Sequence, residues 1–315
     1  MAHDAPGFGM QRTIRSAVSF EGRGLHTGRA ARVTLRPASA EVGIWFRRLD
    51  AVGKDTLIAA RWDNVTPARL CTTISNTAGV TVMTTEHLMA AIVGCGISNL
   101  IVEIDGPEVP ILDGSAAPFV RGIVGRGLRN QAAPVRAIRL LDVVEVRNGP
   151  AFARLEPAQT LEIAFGIDFE DAAIGRQDKR LVMSNGAFVH ELADSRTFCR
   201  QADVVRMRAE GLALGGTYEN AVVVDGDVVL TPGGLRHRDE AVRHKMLDAL
   251  GDLALAGAPL LARYTAERAG HAMTNALLRA VFARPTAFRM VELTPDQAAL
   301  LPGVGVTRHD LAPAA

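Results

Sequence analysis

Short stretches that alternate apolar and polar residues dominate the first fifty positions. ARVTLRPA (31–38) and VGIWFRRL (42–49) carry the two-residue period of half-buried strands, and the Gly-rich GRGLHTG (22–28) punctuates them. The period then changes. EHLMAAIV predicts a helix that Thr84 or Thr85 can cap and that stops near Gly94 and Gly96. SNLIVEI (98–104) returns to a strand. AAPFVRGIVGRG predicts a second helix, capped by Ser115 and with Pro118 in its first turn. QAAPV (131–135) reads as a linker, and residues 1–10 as a disordered lead-in.

Beyond residue 135 the order of signals repeats. Residues 138–169 read as strand, turn, strand, strand, and helical signals return at 239–257 and 274–283. ARLEPA at 153–158 faintly echoes ARVTLRPA. The expected fold is α+β: two similarly folded β-α-α-β sandwich domains, 11–130 and 136–310, packed against each other. Each is expected to carry a small insertion, near 55–74 and near 196–225. A length of 315 residues suits two domains.

Composition narrows the partners. The chain is 48% hydrophobic and 22% charged, an ordinary globular balance. A net charge of +1 and only 5% aromatic residues argue against a nucleic-acid partner. Three cysteines without a CxxC pair suit a reducing compartment. The N-terminus has no secretion-signal pattern and no apolar run approaches the roughly 20 residues of a membrane span, so the expected address is the cytoplasm, without membrane insertion.

The strongest local chemistry lies in RHKMLDALGDL (243–253), where His244, Asp248 and Asp252 stack at i, i+4, i+8 on one helix face. The opposite face holds Val242, Met246, Leu250 and Leu253, a core stripe. An arbitrary HxxxD is more often the polar outer side of a helix. A His and an Asp one turn apart can also chelate one ion. In TTEHLMAA (84–91), His87 sits in a first helical turn beside Glu86. With a metal near, His87 could be a ligand and Glu86 a carboxylate aimed at the water the metal activates. Three N/O ligands would leave a position open, the mark of a catalytic site. His271 in AGHAMTN, Thr197 in DSRTFCR and the glycines of GRGLHTG are weak signals alone.

Taken in order, GLHTG (24–28), LRPA (35–38), LCTT (70–73), TTEHLMAA, PEVPILDGSAAPFV (107–120), SRTF (195–198), GLALGG (211–216), VRHKMLDALGDL and GHAMTN closely resemble the UDP-3-O-acyl-N-acetylglucosamine deacetylase family of lipid A biosynthesis, over about residues 11–285. The resemblance implies zinc held by His87, His244 and Asp248, with Fe(II) also compatible with those ligands. It implies Glu86 as general base, His271 as general acid oriented by Asp252, and Thr197 as a hydroxyl that helps hold the oxyanion. Lys245 and Phe198 match substrate contacts, Leu25 and Gly216 are further candidates for substrate binding, and Cys71 matches a cysteine beside the metal that is not a required ligand. The implied substrate is an acylated UDP-amino sugar, handled by a monomer.

The apolar region 196–225, including Val204, Met207, Leu212 and Leu214, could line an acyl passage or be an ordinary packed insertion. Lys245 and Arg268 could supply positive charge near a diphosphate. Three departures from the family stand out: Arg268 where it usually has Lys, Thr274 where it tends to have Asn, and FEDAAIG (169–175) without a His-Pro pair. Two rival readings remain at this point: another metal amidohydrolase on the same scaffold, and a binding protein with a closed, four-ligand structural metal.

Overall fold

The computed structural model describes residues 9–311. The first half runs β1 (Met10–Ile14), β2 (Val18–Arg23), β3 (Ala30–Pro37), β4 (Ile44–Arg48), β5 (Leu57–Ala59), a small insertion of β6 (Val65–Thr66), β7 (Thr73–Ser75) and β8 (Thr81–Val82), then α1 (Glu86–Gly94), β9 (Leu100–Ile104), α2 (Ala117–Arg126) and β10 (Leu128–Pro134). The second half runs β11 (Arg136–Leu140), β12 (Val144–Asn148), β13 (Ala151–Pro157), β14 (Glu162–Asp168) and β15 (Arg176–Val182). A longer insertion follows, of α3 (Ala187–Glu191), β16 (Phe198–Arg200), α4 (Gln201–Ala209), β17 (Val222–Asp225) and β18 (Val228–Val229). The half closes with α5 (Glu240–Leu253), β19 (Leu260–Glu267), α6 (His271–Phe282) and β20 (Phe288–Glu292), and α7 (Pro295–Ala299) lies beyond it.

The two halves share one topology. In the first, the sheet order is β2-β3-β9-β4-β5, with β4 parallel to β9 and the other pairs antiparallel. In the second, β12-β13-β19-β14-β15 repeats that order, with β14 parallel to β19. The antiparallel pair β1–β10 is matched by β11–β20. The α+β class follows from this arrangement.

Local pattern explains the strands. In β3, Ala31, Val33 and Leu35 are buried while Arg32 and Arg36 face solvent, as a two-residue period demands. The helices depart from a simple amphipathic reading. In α5 only Arg243 and Lys245 escape full burial, and α1 is buried over Glu86–Ile92. The two helices pack on each other at the centre of the molecule, so the His/Asp face of α5 is an interior face and not a solvated one.

Four expectations need correction. The linker at 131–135 is mostly strand: Gln131–Pro134 belong to β10, with Met10 opposite Pro134. The disordered lead-in ends earlier than residue 10, since Met10 opens β1; residues 1–8 lie outside the described residues. Neither threonine caps α1 through its side chain. Thr84, at φ 56°, turns its hydroxyl to Glu108 Oε1 at 2.8 Å, and the Thr85 hydroxyl reaches the Thr72 carbonyl at 3.4 Å. Pro118 does sit in the first turn of α2, but the N-cap position is Ala116 and not Ser115, whose Oγ accepts from the Ala117 N–H without capping the helix. Among the described residues, no helix is long and apolar enough to cross a membrane.

Candidate metal centre and active site

Packing of α1 on α5 brings His87 to His244 and Asp248. Asp248 Oδ1 stands 3.4 Å from His87 Nε2 and 3.3 Å from His244 Nε2. All three side chains are buried, and their candidate ligand atoms fall within 4.8 Å of one another. His244 Nδ1 donates to the Ser195 carbonyl at 3.0 Å. A carbonyl can only accept, so this bond fixes the tautomer and leaves Nε2 with its lone pair toward the cluster. Burial drops the His244 pKa to about 4, which keeps the ring neutral. Burial alone would raise Asp248, but His244, Lys245 and His271 hold it well below the usual carboxylate range.

The residues fit a metal. Asp248 Oδ1 is buried without a hydrogen-bond partner among the described residues, an arrangement that costs on the order of 1–3 kcal/mol unless something else satisfies it. Two histidine nitrogens and one carboxylate oxygen converging on one point make a three-ligand site for a borderline-soft divalent ion. No fourth side chain joins the group among the described residues, which disfavours a closed structural site.

Around the cluster lies a ring of proton-handling groups. Glu86 opens α1. Burial, opposed by His271 and His87, raises its pKa to about 7. Its Oε1 is 3.7 Å from His271 Nε2. The other nitrogen, His271 Nδ1, lies 2.8 Å from Asp252 Oδ2. Burial works against the imidazolium here, but Asp252, Glu86 and Asp248 outweigh it and lift His271 to about 9. One histidine thus sits between two buried carboxylates that favour its protonated form.

A cavity of about 910 Å³ opens over this ring. Glu86, His87, Thr197, Phe198, Val204, Gly216, His244, Lys245, Asp248, Leu25, Arg268 and His271 all line it. Asp252 stands behind His271. Leu212 and Cys71 are not among its lining residues. Cys71 is buried 3.7 Å from Thr73 Oγ1, and burial, helped by the charge of Glu86, pushes its thiol up to about 12. Lys245 Nζ is 2.9 Å from Asp248 Oδ2. Arg268, at φ 49°, is ion-paired with Asp168. Phe169, from the segment that lacks the family's His-Pro pair, packs edge-on against Phe198 with ring centroids 5.4 Å apart. Thr274 hydrogen-bonds the buried Tyr264 hydroxyl at 3.0 Å, just beyond the start of the helix that carries His271.

Several supports were not apparent in the sequence. Glu108 accepts from the backbone N–H groups of His26 and Thr27, both at 2.8 Å, and so shapes the GLHTG turn. That turn meets the second insertion: the N–H of Gly215 donates to the Leu25 carbonyl at 3.0 Å, and a Cβ on Gly215 would lie 2.2 Å from the Gly24 carbonyl oxygen. His26 lines the cavity, buried, with neither ring nitrogen hydrogen-bonded among the described residues. The buried pair Arg196–Glu240, at 2.9 Å, pins the Ser195–Thr197 loop to the start of α5. His26, Glu108, Arg196 and Gly215 fall inside GLHTG, PEVPILDGSAAPFV, SRTF and GLALGG, but nothing local shows their roles, because each acts through a partner distant in the chain.

The family model for UDP-3-O-acyl N-acetylglycosamine deacetylase matches residues 11–283. The chain belongs to this family. Curated relatives agree along their length. The UDP-3-O-acyl-N-acetylglucosamine deacetylase of Phenylobacterium zucineum (strain HLK1) is 51% identical over 288 residues, 91% of this chain and 98% of the relative. The protein of that name from Anaeromyxobacter sp. (strain Fw109-5) is 47% identical over 286 residues, covering 91% and 93%. That from Pasteurella multocida (strain Pm70) is 41% identical over 290 residues, covering 91% and 95%. This family member is therefore a deacetylase, a hydrolase with a metal centre.

Proposed function

We propose that this deacetylase hydrolyses the N-acetyl group of a UDP-3-O-acyl-N-acetylglucosamine, giving acetate and UDP-3-O-acyl-glucosamine, an early committed step of lipid A biosynthesis. The observation that carries the reading is the placement of Glu86 and His271, 3.7 Å apart, beside the His87–His244–Asp248 cluster at the floor of one large cavity. The names of the relatives supply the substrate, and the cavity's mixture of Lys245 and Arg268 with Phe198, Val204 and Met207 suits a charged head and an apolar tail.

Zinc is the proposed metal, with Fe(II) compatible with the same donors. Bound there, it would supply Lewis acidity that acidifies water and polarises the acetyl carbonyl. Glu86 takes the proton of the attacking water as its pKa near neutrality allows. The Thr197 hydroxyl donates to the oxygen that gains charge. His271, held by Asp252, delivers a proton to the departing amine, a poor leaving group without it. Lys245 and Arg268 steady the diphosphate, Leu25 and Gly216 frame the sugar, and Phe198, Val204 and neighbouring side chains guide the acyl chain. Cys71 is assigned no ligand role.

The repeated strand order on either side of Val135 supports two domains, approximately 11–130 and 136–310, with the site between them. Both contribute ligands from a single chain, which supports a monomer. Three unpaired cysteines support a cytoplasmic address.

The test is acetate release by the zinc-loaded protein from UDP-N-acetylglucosamine compounds with 3-O-acyl chains of several lengths and with none. The expected result is turnover that depends on the chain. No release from any acylated compound overturns the reading, and equal rates with and without the chain remove the acyl passage.

A further inference from the structure

Thr72 lies in the first half's insertion, buried immediately before β7, and all its polar atoms are engaged around the reacting groups. Its backbone N–H donates to Glu86 Oε2 at 3.1 Å. Its hydroxyl donates to Asp252 Oδ1 at 2.5 Å, across 180 positions of sequence. Its carbonyl accepts from the Thr85 N–H at 3.3 Å and the Thr85 hydroxyl at 3.4 Å. The remaining oxygens of the two carboxylates face opposite nitrogens of one ring: Asp252 Oδ2 at 2.8 Å from His271 Nδ1, and Glu86 Oε1 at 3.7 Å from His271 Nε2. Glu86, Thr72, Asp252 and His271 therefore form a hydrogen-bonded chain whose two ends, Glu86 Oε1 and His271 Nε2, face each other across 3.7 Å.

We propose that Thr72 is a positioning residue that fixes the plane of the Asp252 carboxylate while anchoring one oxygen of Glu86, so that His271 is aimed as the acid beside Glu86 as the base. The inference rests on the deacetylase reading above. An aspartate's terminal torsion is broad and roughly two-fold, so a carboxylate held at one oxygen only can swing. Asp252 is held at both, by Thr72 on one side and His271 on the other. Because Thr72 belongs to the first half and Asp252 to the second, the same hydroxyl registers the base-bearing half against the acid-bearing half.

The closing experiment uses the zinc-loaded full chain with Thr72→Val, Thr72→Ser and each combined with His271→Gln. Valine keeps the volume and the N–H to Glu86 and deletes only the hydroxyl. The expected result is a kcat loss of about 10- to 100-fold, as for a lost hydrogen bond to a charged group, with KM within about twofold and zinc content unchanged. Serine restores most of the rate. In the His271→Gln background the valine substitution costs little more, since residues acting as a unit are not additive.

A second readout is independent of the substrate. The downfield Nδ1–H resonance of His271, assigned by its loss in His271→Gln, shifts or broadens in Thr72→Val and returns in Thr72→Ser. A Thr72→Val enzyme with wild-type kcat, a loss confined to KM or zinc content, or a loss of equal size in the His271→Gln background overturns the proposal. If the unaltered protein hydrolyses no acylated UDP sugar, the deacetylase reading fails separately, and an imidazole resonance indifferent to Thr72 then overturns the positioning role.

Discussion

Gly251 of α5 lies against the carbonyl oxygen of Glu86 in α1, so near that a Cβ on residue 251 would stand 2.0 Å from it. Backbone on both sides leaves no flexible atom to give way, so any side chain here parts the helices that carry His87 and Asp248. Gly251→Ala is expected to lower zinc content and to cost at least about 100-fold in activity, the scale of a displacement of about 1 Å. Metal analysis alongside turnover checks it. An alanine variant with full zinc and full rate would show that the helix contact does not position the site.

Glu86→Gln keeps the shape of the side chain and deletes the base. With His87, His244 and Asp248 untouched, bound zinc should stay near one equivalent while kcat falls about 10²- to 10⁴-fold. Retained turnover would remove Glu86 from the proton path.

The pH profile should be bell-shaped. A base works deprotonated, so activity is lost as pH falls through the Glu86 pKa, which burial raises to about 7. An acid works protonated, so activity is lost as pH rises through the His271 pKa, lifted to about 9 by its carboxylate neighbours against burial. A bound cation would pull both values down. At 3.7 Å the two groups titrate as a pair. His271→Gln should flatten the alkaline limb of kcat/KM, and an unchanged limb would assign the acid elsewhere.

Chelation should destabilise the fold as well as stop turnover. Among the described residues, Asp248 Oδ1 has no hydrogen-bond partner that would take a cation's place. A metal at a free concentration about 100 times its Kd adds about 2.7 kcal/mol, or roughly 4 °C in Tm at this size. Calorimetry before and after chelation, with zinc added back, measures it. Asp248→Asn should abolish most of the zinc-dependent shift.

How far the sequence reading reached depended on the range of each contact. The i, i+4 pair His244/Asp248 was legible because one helix presents both. His87 was credible only through the family resemblance, since nothing local brings α1 to α5. Thr72, Glu108 and Arg196 fall inside the motifs LCTT, PEVPILDGSAAPFV and SRTF, but their roles were not legible because their partners stand 180, 82 and 44 positions away. The linker misreading has a local cause: Gln, Ala and Pro are weak strand formers, and only pairing with β1 makes residues 131–134 a strand. Thr84 looked like a cap by position, but its positive φ turns the hydroxyl toward Glu108.

The meeting of the GLHTG turn with the second insertion has an engineering consequence. One wall of the cavity, residues 201–217, meets the first half through the Gly215–Leu25 and Leu214–His26 backbone bonds and the Arg69–Glu210 ion pair, while Glu86, Thr72 and the ligand helices belong to other segments. Acyl-chain selectivity could thus be rewritten by exchanging that one segment between relatives, provided Gly24 and Gly215 travel together, without disturbing the chemistry beneath it.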